Sequence, residues 1–178
     1  MKTYFTYGFA TALAGMLLTL ALFFLGFHSD PAKFTAASWI GSVAGFAISA
    51  VGIVLGTKAR RAEIPATESF GYGRALGAGV MIALFAAVFG TISHLVYVGV
   101  INPGMTDVSV QVQIEKLEAS GMSATQVENA EAMMRKMMHP GLQGTFAFIG
   151  MMFFGTLISL VTAAFLKRPA HDQPPSIA

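Results

Sequence analysis

The run from Tyr72 to Ile101, YGRALGAGVMIALFAAVFGTISHLVYVGVI, carries Arg74 near its start and thereafter no aspartate, glutamate, lysine or arginine. A helix rises about 1.5 Å per residue, so roughly 20 such residues cross the ~30 Å of hydrocarbon in a bilayer. This run is longer, which implies tilt or a turn standing in water. Inside lipid the backbone must bond to itself, and helix is the form that a single segment can take there. Working outward, three further stretches meet the same test, at about 4 to 27, 35 to 57 and 142 to 166. The expected fold is therefore all-α, an integral membrane four-helix bundle. Composition agrees: of 178 residues 54% are hydrophobic and 11% charged, against roughly 25% charged in soluble domains. Mean hydropathy is +0.65.

Composition also excludes several function classes. With no cysteine there is no disulfide, thiolate nucleophile, iron-sulfur cluster or cysteine-ligated zinc. A net charge of +2 is too small for a nucleic-acid footprint, so no nucleic acid is expected as partner. Between Met1 and Phe27 the only charged side chain is Lys2. The apolar stretch exceeds the roughly 7 to 15 residues of a signal-peptide core, so it reads as retained.

Orientation follows from the basic residues, which tend to stay cytoplasmic near span ends. Lys2, Lys58, Arg60, Arg61, Arg74, Lys167 and Arg168 fall on one side; Lys33, Lys116, Arg135 and Lys136 fall on the other. Both termini are accordingly expected in the cytoplasm. Spans 3 and 4 are joined by the longest non-membrane segment, which reads as an extracytoplasmic helical hairpin over about 105–139. Gly121 stops its first helix, and Ser123 with Gln126 has capping-box spacing for the second. Val108, Val110, Val112 and Ile114 alternate as in a strand, but a lone strand would lack a partner, and helix is preferred. Residues 1–168 are read as a single four-span domain, and 169–178, with three prolines, as a disordered tail.

A family resemblance rests on particular residues. Phe70-Gly71-Tyr72-Gly73-Arg74-Ala75-Leu76 opens the third span and Ile101-Asn102-Pro103-Gly104 closes it. Gln113 through Glu118, Gly121-Met122-Ser123, Gln126-Val127-Glu128, the run Met133 to Met138 without a break, and Pro140-Gly141 follow in order. This pattern resembles the bacterial membrane family called domain of unknown function 4199. The resemblance implies a helical inner-membrane protein of four spans and brings no activity, substrate or cofactor with it.

Four groups of residues are candidate sites. On the second span Ser38, Gly41, Gly45, Ser49, Gly52 and Gly56 step by three or four, a stripe suited to close helix packing or homodimerisation, with Gly41, Gly45, Gly52 and Gly56 at its heart. His94 is the strongly ionisable residue within a span, with Tyr97 one turn on. It needs a polar partner, for which Ser93, Tyr97, Ser159 and Thr162 are the candidates. Met134, Met138 and His139 form a soft ligand set of the kind that takes Cu(I), although an apolar helix face explains the methionines equally. Lys58, Arg60, Arg61 and Arg74 could meet a lipid headgroup or simply set topology. No spacing for a phosphate loop, a zinc-protease helix or a nucleophile elbow is present. An enzyme is not expected, and neither a cofactor nor a resident metal is called for. The reading is an accessory or interaction protein in the bilayer, alone, as a homodimer or in a larger complex. Its competitor is a small transporter or lipid-handling protein with a pocket near His94.

Overall fold

The computed structural model describes residues 1–170; the last part of the expected tail, from 171 on, lies outside the described residues. Among these, six α-helices form and no strand: α1 (Lys2–Phe24), α2 (Pro31–Ala62), α3 (Tyr72–Val96), α4 (Met105–Ala119), α5 (Ala124–Met137) and α6 (Pro140–Leu166). Four of the helical segments, α1, α2, α3 with its continuation to Ile101, and α6, are long and apolar enough to cross a membrane, consistent with a multi-pass membrane protein.

Local chemistry sets the ends. The first span stops three residues earlier than expected, because Gly26 takes a positive φ of 77°. Gly26 N–H bonds to Phe23 C=O and Phe27 N–H reaches back to Leu22 C=O, both at 2.9 Å. This double closure ends a helix with a glycine in the left-handed region. Gly121 (φ 81°) closes α4 in the same way, through Glu118 and Leu117. Between α1 and α2 only a short turn remains. Asp30 then caps α2, accepting from Ala32 N–H at 3.0 Å with Pro31 at the first helical position. With that start and its run to Ala62, α2 overshoots the expected 35–57 at both ends and reaches about 48 Å.

The third span begins at Tyr72 behind Gly71, whose backbone is extended and which supplies no side-chain cap. Phe70 is instead engaged in an antiparallel backbone bridge to Arg168, with N–H···O distances of 2.9 and 2.8 Å. At its far end α3 widens into a π turn, Tyr97–Ile101, where Asn102 N–H bonds to Tyr97 C=O at 2.8 Å. In α5 the Ser123/Gln126 capping box is formed. The alternating valines sit in helix α4, and α4 and α5 run back along each other, with Arg135 on α5 bridging to Asp107 at 2.8 Å.

The bundle is tightest where glycine lets backbones meet. A Cβ on Gly79 would lie 2.6 Å from Ser159 Oγ, one on Gly155 2.6 Å from Ala83 Cβ, and one on Gly8 2.5 Å from Phe85 Cβ. These contacts join α3 to α6 and α1 to α3. Ile53, Ile82, Ala83 and Ile158 form the core beside them. Toward the end that carries Lys58 and Lys167, here the basic end, Phe70, Ala75, Ala78 and Ala163 continue it.

Candidate functional site

The small-residue stripe of α2 divides into two halves with different surroundings. At the basic end, a Cβ on Gly56 would fall 2.6 Å from Ile82 Cδ1 and 2.8 Å from Tyr7 Cβ, and one on Gly52 would overlap Thr11 Oγ1. Toward the α4–α5 end, a Cβ on Gly45 would meet nothing within 4 Å and one on Gly41 only Leu22 Cδ1, at 4.0 Å. Gly52 and Gly56 are thus at close helix contact, while Gly41 and Gly45 border open space. That space is a cavity of about 580 Å³ between α1, α2 and α3, touching α6 at Met151 and Gly155. The volume lies within the ~300–1,000 Å³ of small-molecule sites.

Its wall changes character along its length. The part toward the basic end is lined mainly by apolar residues, Ala12, Ile53, Ala83 and Ala87, with the hydroxyls of Thr11 and Ser49 among them, and the opposite end by Ser93, His94, Tyr97 and His28. No Asp, Glu, Lys or Arg among the described residues lines it. Ser38 and Ser42, both exposed, also border a smaller cleft of about 250 Å³ between α2 and α4, with Trp39, Val112 and Lys116.

Two hydrogen-bonded groups close the polar end. Tyr97 is 1% exposed; its hydroxyl lies 2.5 Å from His28 Nδ1 and accepts from Asn102 Nδ2 at 3.0 Å. The His28 and Tyr97 rings meet edge to face, 5.6 Å between centroids. All three residues are buried, and burial pushes the His28 pKa below its ordinary value because a charged imidazole would lose its hydration. The second group is built on His94, half-buried, whose Nε2 lies 3.2 Å from Gln143 Oε1 on α6. Gln143 in turn donates from Nε2 to Met138 C=O at 2.7 Å.

The partner of His94 is therefore Gln143, which sequence reasoning did not consider. Ser159 lies beside Gly79, about 22 Å along α3 from His94, and its hydroxyl is spent on Gly155 C=O at 2.7 Å. His28 and Asn102 were also missed. Their signal was present in the turn chemistry: Gly26 ahead of the Asp30-Pro31 cap forces a tight loop through His28, and Asn102 precedes Pro103-Gly104.

The family model described as Protein of unknown function (DUF4199) matches residues 6–168. This chain belongs to the DUF4199 family. No curated protein and no solved structure matches it.

In this DUF4199 protein the remaining candidate residues are partly committed elsewhere. Arg60 donates to Tyr4 Oη at 3.0 Å, pairs with Glu63 at 2.6 Å and stacks over the Tyr4 ring at 5.7 Å. Arg61 donates to Leu166 C=O at 3.4 Å, and Arg74 pairs with Glu68 at 3.1 Å; Lys58 stands exposed. Sequence reasoning overlooked Arg168 as a clasp: its guanidinium donates to Ile64 C=O at 3.0 Å and Pro65 C=O at 2.9 Å. Met134 and Met138 are half-buried and His139 exposed. His139 Nδ1 caps α6 by accepting from Gly141 N–H at 3.3 Å, leaving Nε2 as its one other ligand atom. No group of three or more His, Cys, Asp or Glu able to hold a metal occurs among the described residues.

Proposed function

We propose that this protein is a multi-pass bacterial inner-membrane protein that holds an amphiphilic, lipid-like molecule in the cavity between α1, α2 and α3. The observation that carries the reading is the gradient along the cavity, mainly apolar toward the basic end and richest in hydrogen-bonding groups at His28, His94 and Tyr97. Of the two classes open from sequence, it favours the lipid-handling one over the accessory or interaction protein.

Bilayer placement supports it. Both termini are taken as cytoplasmic, with the basic end at that face. Counting about 20 residues of helix from each basic boundary, Lys2 leads to Leu22, Lys58 to Trp39, Arg74 to His94 and Lys167 to Ala147. These residues then mark the outer edge of the hydrocarbon. Trp39, 70% exposed, has the amphipathic ring favoured at that level. The polar end of the cavity would lie among headgroups and its apolar part within the outer leaflet. The first turns of α2 and the α4–α5 hairpin would stand above, outside the cytoplasm. A molecule would enter from the side, between α2 and α4, past Ser38 and Ser42.

Native mass spectrometry of the protein released from membrane-derived nanodiscs tests the reading. The expected result is a retained mass of lipid size that is absent from Gly45→Leu, whose side chain would occupy the cavity. A bare wild-type protein indistinguishable from that variant would overturn it. A second reading, docking of a partner on α5, rests on the exposure of Met133 (65%) and Met137 (46%).

A further inference from the structure

The cavity has a neighbour. Between α2 and α4, Thr35, Ser38, Trp39 and Ser42, at i, i+3, i+4 and i+7 on one face of α2, share a cleft with Val112, Gln113 and Lys116 of α4. Phe34, Ser38 and Ser42 border the cleft and the cavity alike, so the two hollows share a wall. Lys116 is the one Asp, Glu, Lys or Arg among the described residues that line either hollow. α4 also carries Asp107, Glu115 and Glu118, yet none of them lines the cleft. Asp107 is held by Arg135, and Glu115 accepts from Gln111, one turn back along α4, at 3.0 Å. Lys116 is exposed and enters none of the ion pairs formed among the described residues. Lys33, the other cation near this end of α2, is paired with Asp30 at 3.5 Å.

An ammonium without a carboxylate partner suits an anion, and the level of the cleft says which. In the placement given above Trp39 marks the outer edge of the hydrocarbon, where its amphipathic ring is favoured. Lys116, in the same cleft, therefore meets the layer just outside the hydrocarbon, where lipid phosphates lie. The hydroxyls of Thr35 and Ser42 and the side-chain amide of Gln113 line the cleft with it, and each can donate to a phosphate oxygen. The Ser38 proton is spent on Phe34 C=O at 3.0 Å. The cavity has no such welcome for an anion. A phosphate drawn into it would lose its hydration with no Lys or Arg among the described lining residues. A hydrocarbon chain has the opposite preference, so head and chain divide between the two hollows, on either side of the shared wall.

Resting on the amphiphile reading above, we propose that the bound molecule is an anionic phospholipid of the outer leaflet, with its phosphate at Lys116 in the α2–α4 cleft and an acyl chain passing Ser38 and Ser42 into the cavity. Lys116 selects for the net charge of the head. A phosphatidylcholine carries its own cation beside the phosphate and gains less from a second one. Lys116 also stands in the last turn of α4, where a cation favours the helix end. That contribution belongs to stability and leaves the choice of lipid unchanged.

Trp39 is the one tryptophan of the chain and lines this cleft, so its fluorescence reads the site. The full-length protein is reconstituted in dioleoyl phosphatidylcholine vesicles that contain the same small fraction of either brominated phosphatidylglycerol or brominated phosphatidylcholine, whose bromines quench tryptophan on contact. The expected result is about threefold enrichment of phosphatidylglycerol over phosphatidylcholine at Trp39, the size of one partly exposed ion pair. In Lys116→Gln the ratio falls to about one, Lys116→Arg keeps it, and Lys58→Gln at the basic end leaves it unchanged. Inorganic phosphate added to protein in phosphatidylcholine vesicles is expected to leave Trp39 fluorescence unaltered; a saturable shift would assign the cleft to a free anion and overturn the lipid assignment. Equal quenching by the two lipids in the wild-type protein, or a preference that survives Lys116→Gln, also overturns it. The retained-mass measurement above separates the two readings. Lipid retained there with equal quenching here overturns this proposal alone, and no lipid retained above Gly45→Leu removes both.

Discussion

The two halves of the bundle use the same kind of residue for opposite ends. Near the basic end, Gly52 and Gly56 let α2 lie against Thr11, Tyr7 and Ile82, and the backbone clasp between Phe70 and Arg168 draws the loop after α2 onto the end of α6. Near the α4–α5 end, Gly41 and Gly45 continue the identical spacing and face a cavity. A glycine stripe thus says that bulk is excluded from one helix face. What occupies the room depends on how close the neighbouring helix comes. In one half a backbone fills it, and in the other it stays open.

The sharpest way to break this contrast is to add the same side chain to both halves. Gly56→Leu is expected to destabilise the protein by about 3 kcal/mol or to prevent folding, because the side chain collides with Ile82 and Tyr7. Gly45→Leu should stay within about 1 kcal/mol of wild type, as it enters open space. Thermal unfolding in detergent compares the two; equal losses would mean that the halves are packed alike. Next in size comes the clasp. Arg168→Ala deletes two guanidinium bonds to the carbonyls of Ile64 and Pro65 and should cost about 2 kcal/mol. Faster proteolysis of the 63–71 loop would accompany it.

Tyr97→Phe sharpens the picture from the other half. It removes the hydroxyl shared by His28 and Asn102, and leaving two buried polar groups short of a partner costs about 1–2 kcal/mol. Deuterium exchange should quicken in the 25–30 turn and leave the 63–71 loop unchanged. The smallest effect is a pH dependence that separates the halves. His28 has a folded pKa below its ordinary value, near 6.5. Below that pH the unfolded turn binds more protons than the folded one, so stability is full above about 6.5 and declines as pH falls. His28→Gln should flatten this decline. At the basic end, the hydroxyl of Thr3 and the guanidinium of Arg60 hold the exposed Glu63 carboxyl below its usual range. Any contribution it makes is present above its unfolded pKa, about 4.3, and lost only under stronger acid. A single melting series from pH 8 to 4 therefore reads the turn that holds His28 first.

How much could be read beforehand varies with how local the cause is. Spans, the Gly121 stop and the Ser123/Gln126 capping box depend on residues within one or two turns of each other, and each was visible in the pattern. The Gly26 stop is equally local, yet the apolar run through Leu25 and Phe27 hid it, since hydropathy does not register a left-handed glycine. The start of α2 at Asp30-Pro31 is equally local, a cap residue ahead of a first-turn proline, but it lies outside the apolar stretch by which the span was bounded. His94 and Tyr97 stood out as polar groups in apolar runs, but their partners did not. Gln143 is 49 positions from His94 and His28 is 69 from Tyr97.

Hydrophobicity, cap residues and the placement of charge are properties of short segments, and from them alone the chain reads as all-helical, with four segments long and apolar enough to cross a membrane and a helical connection after the third. Whether Gly45 would meet a helix or a void, which residue would pair with His94, and that His28 would share Tyr97 with Asn102 depend on the separation of helices far apart in the chain. That separation is set by the sum of many side-chain volumes on facing surfaces. No single segment contains that sum, so these features came into view only once the helices were seen packed together.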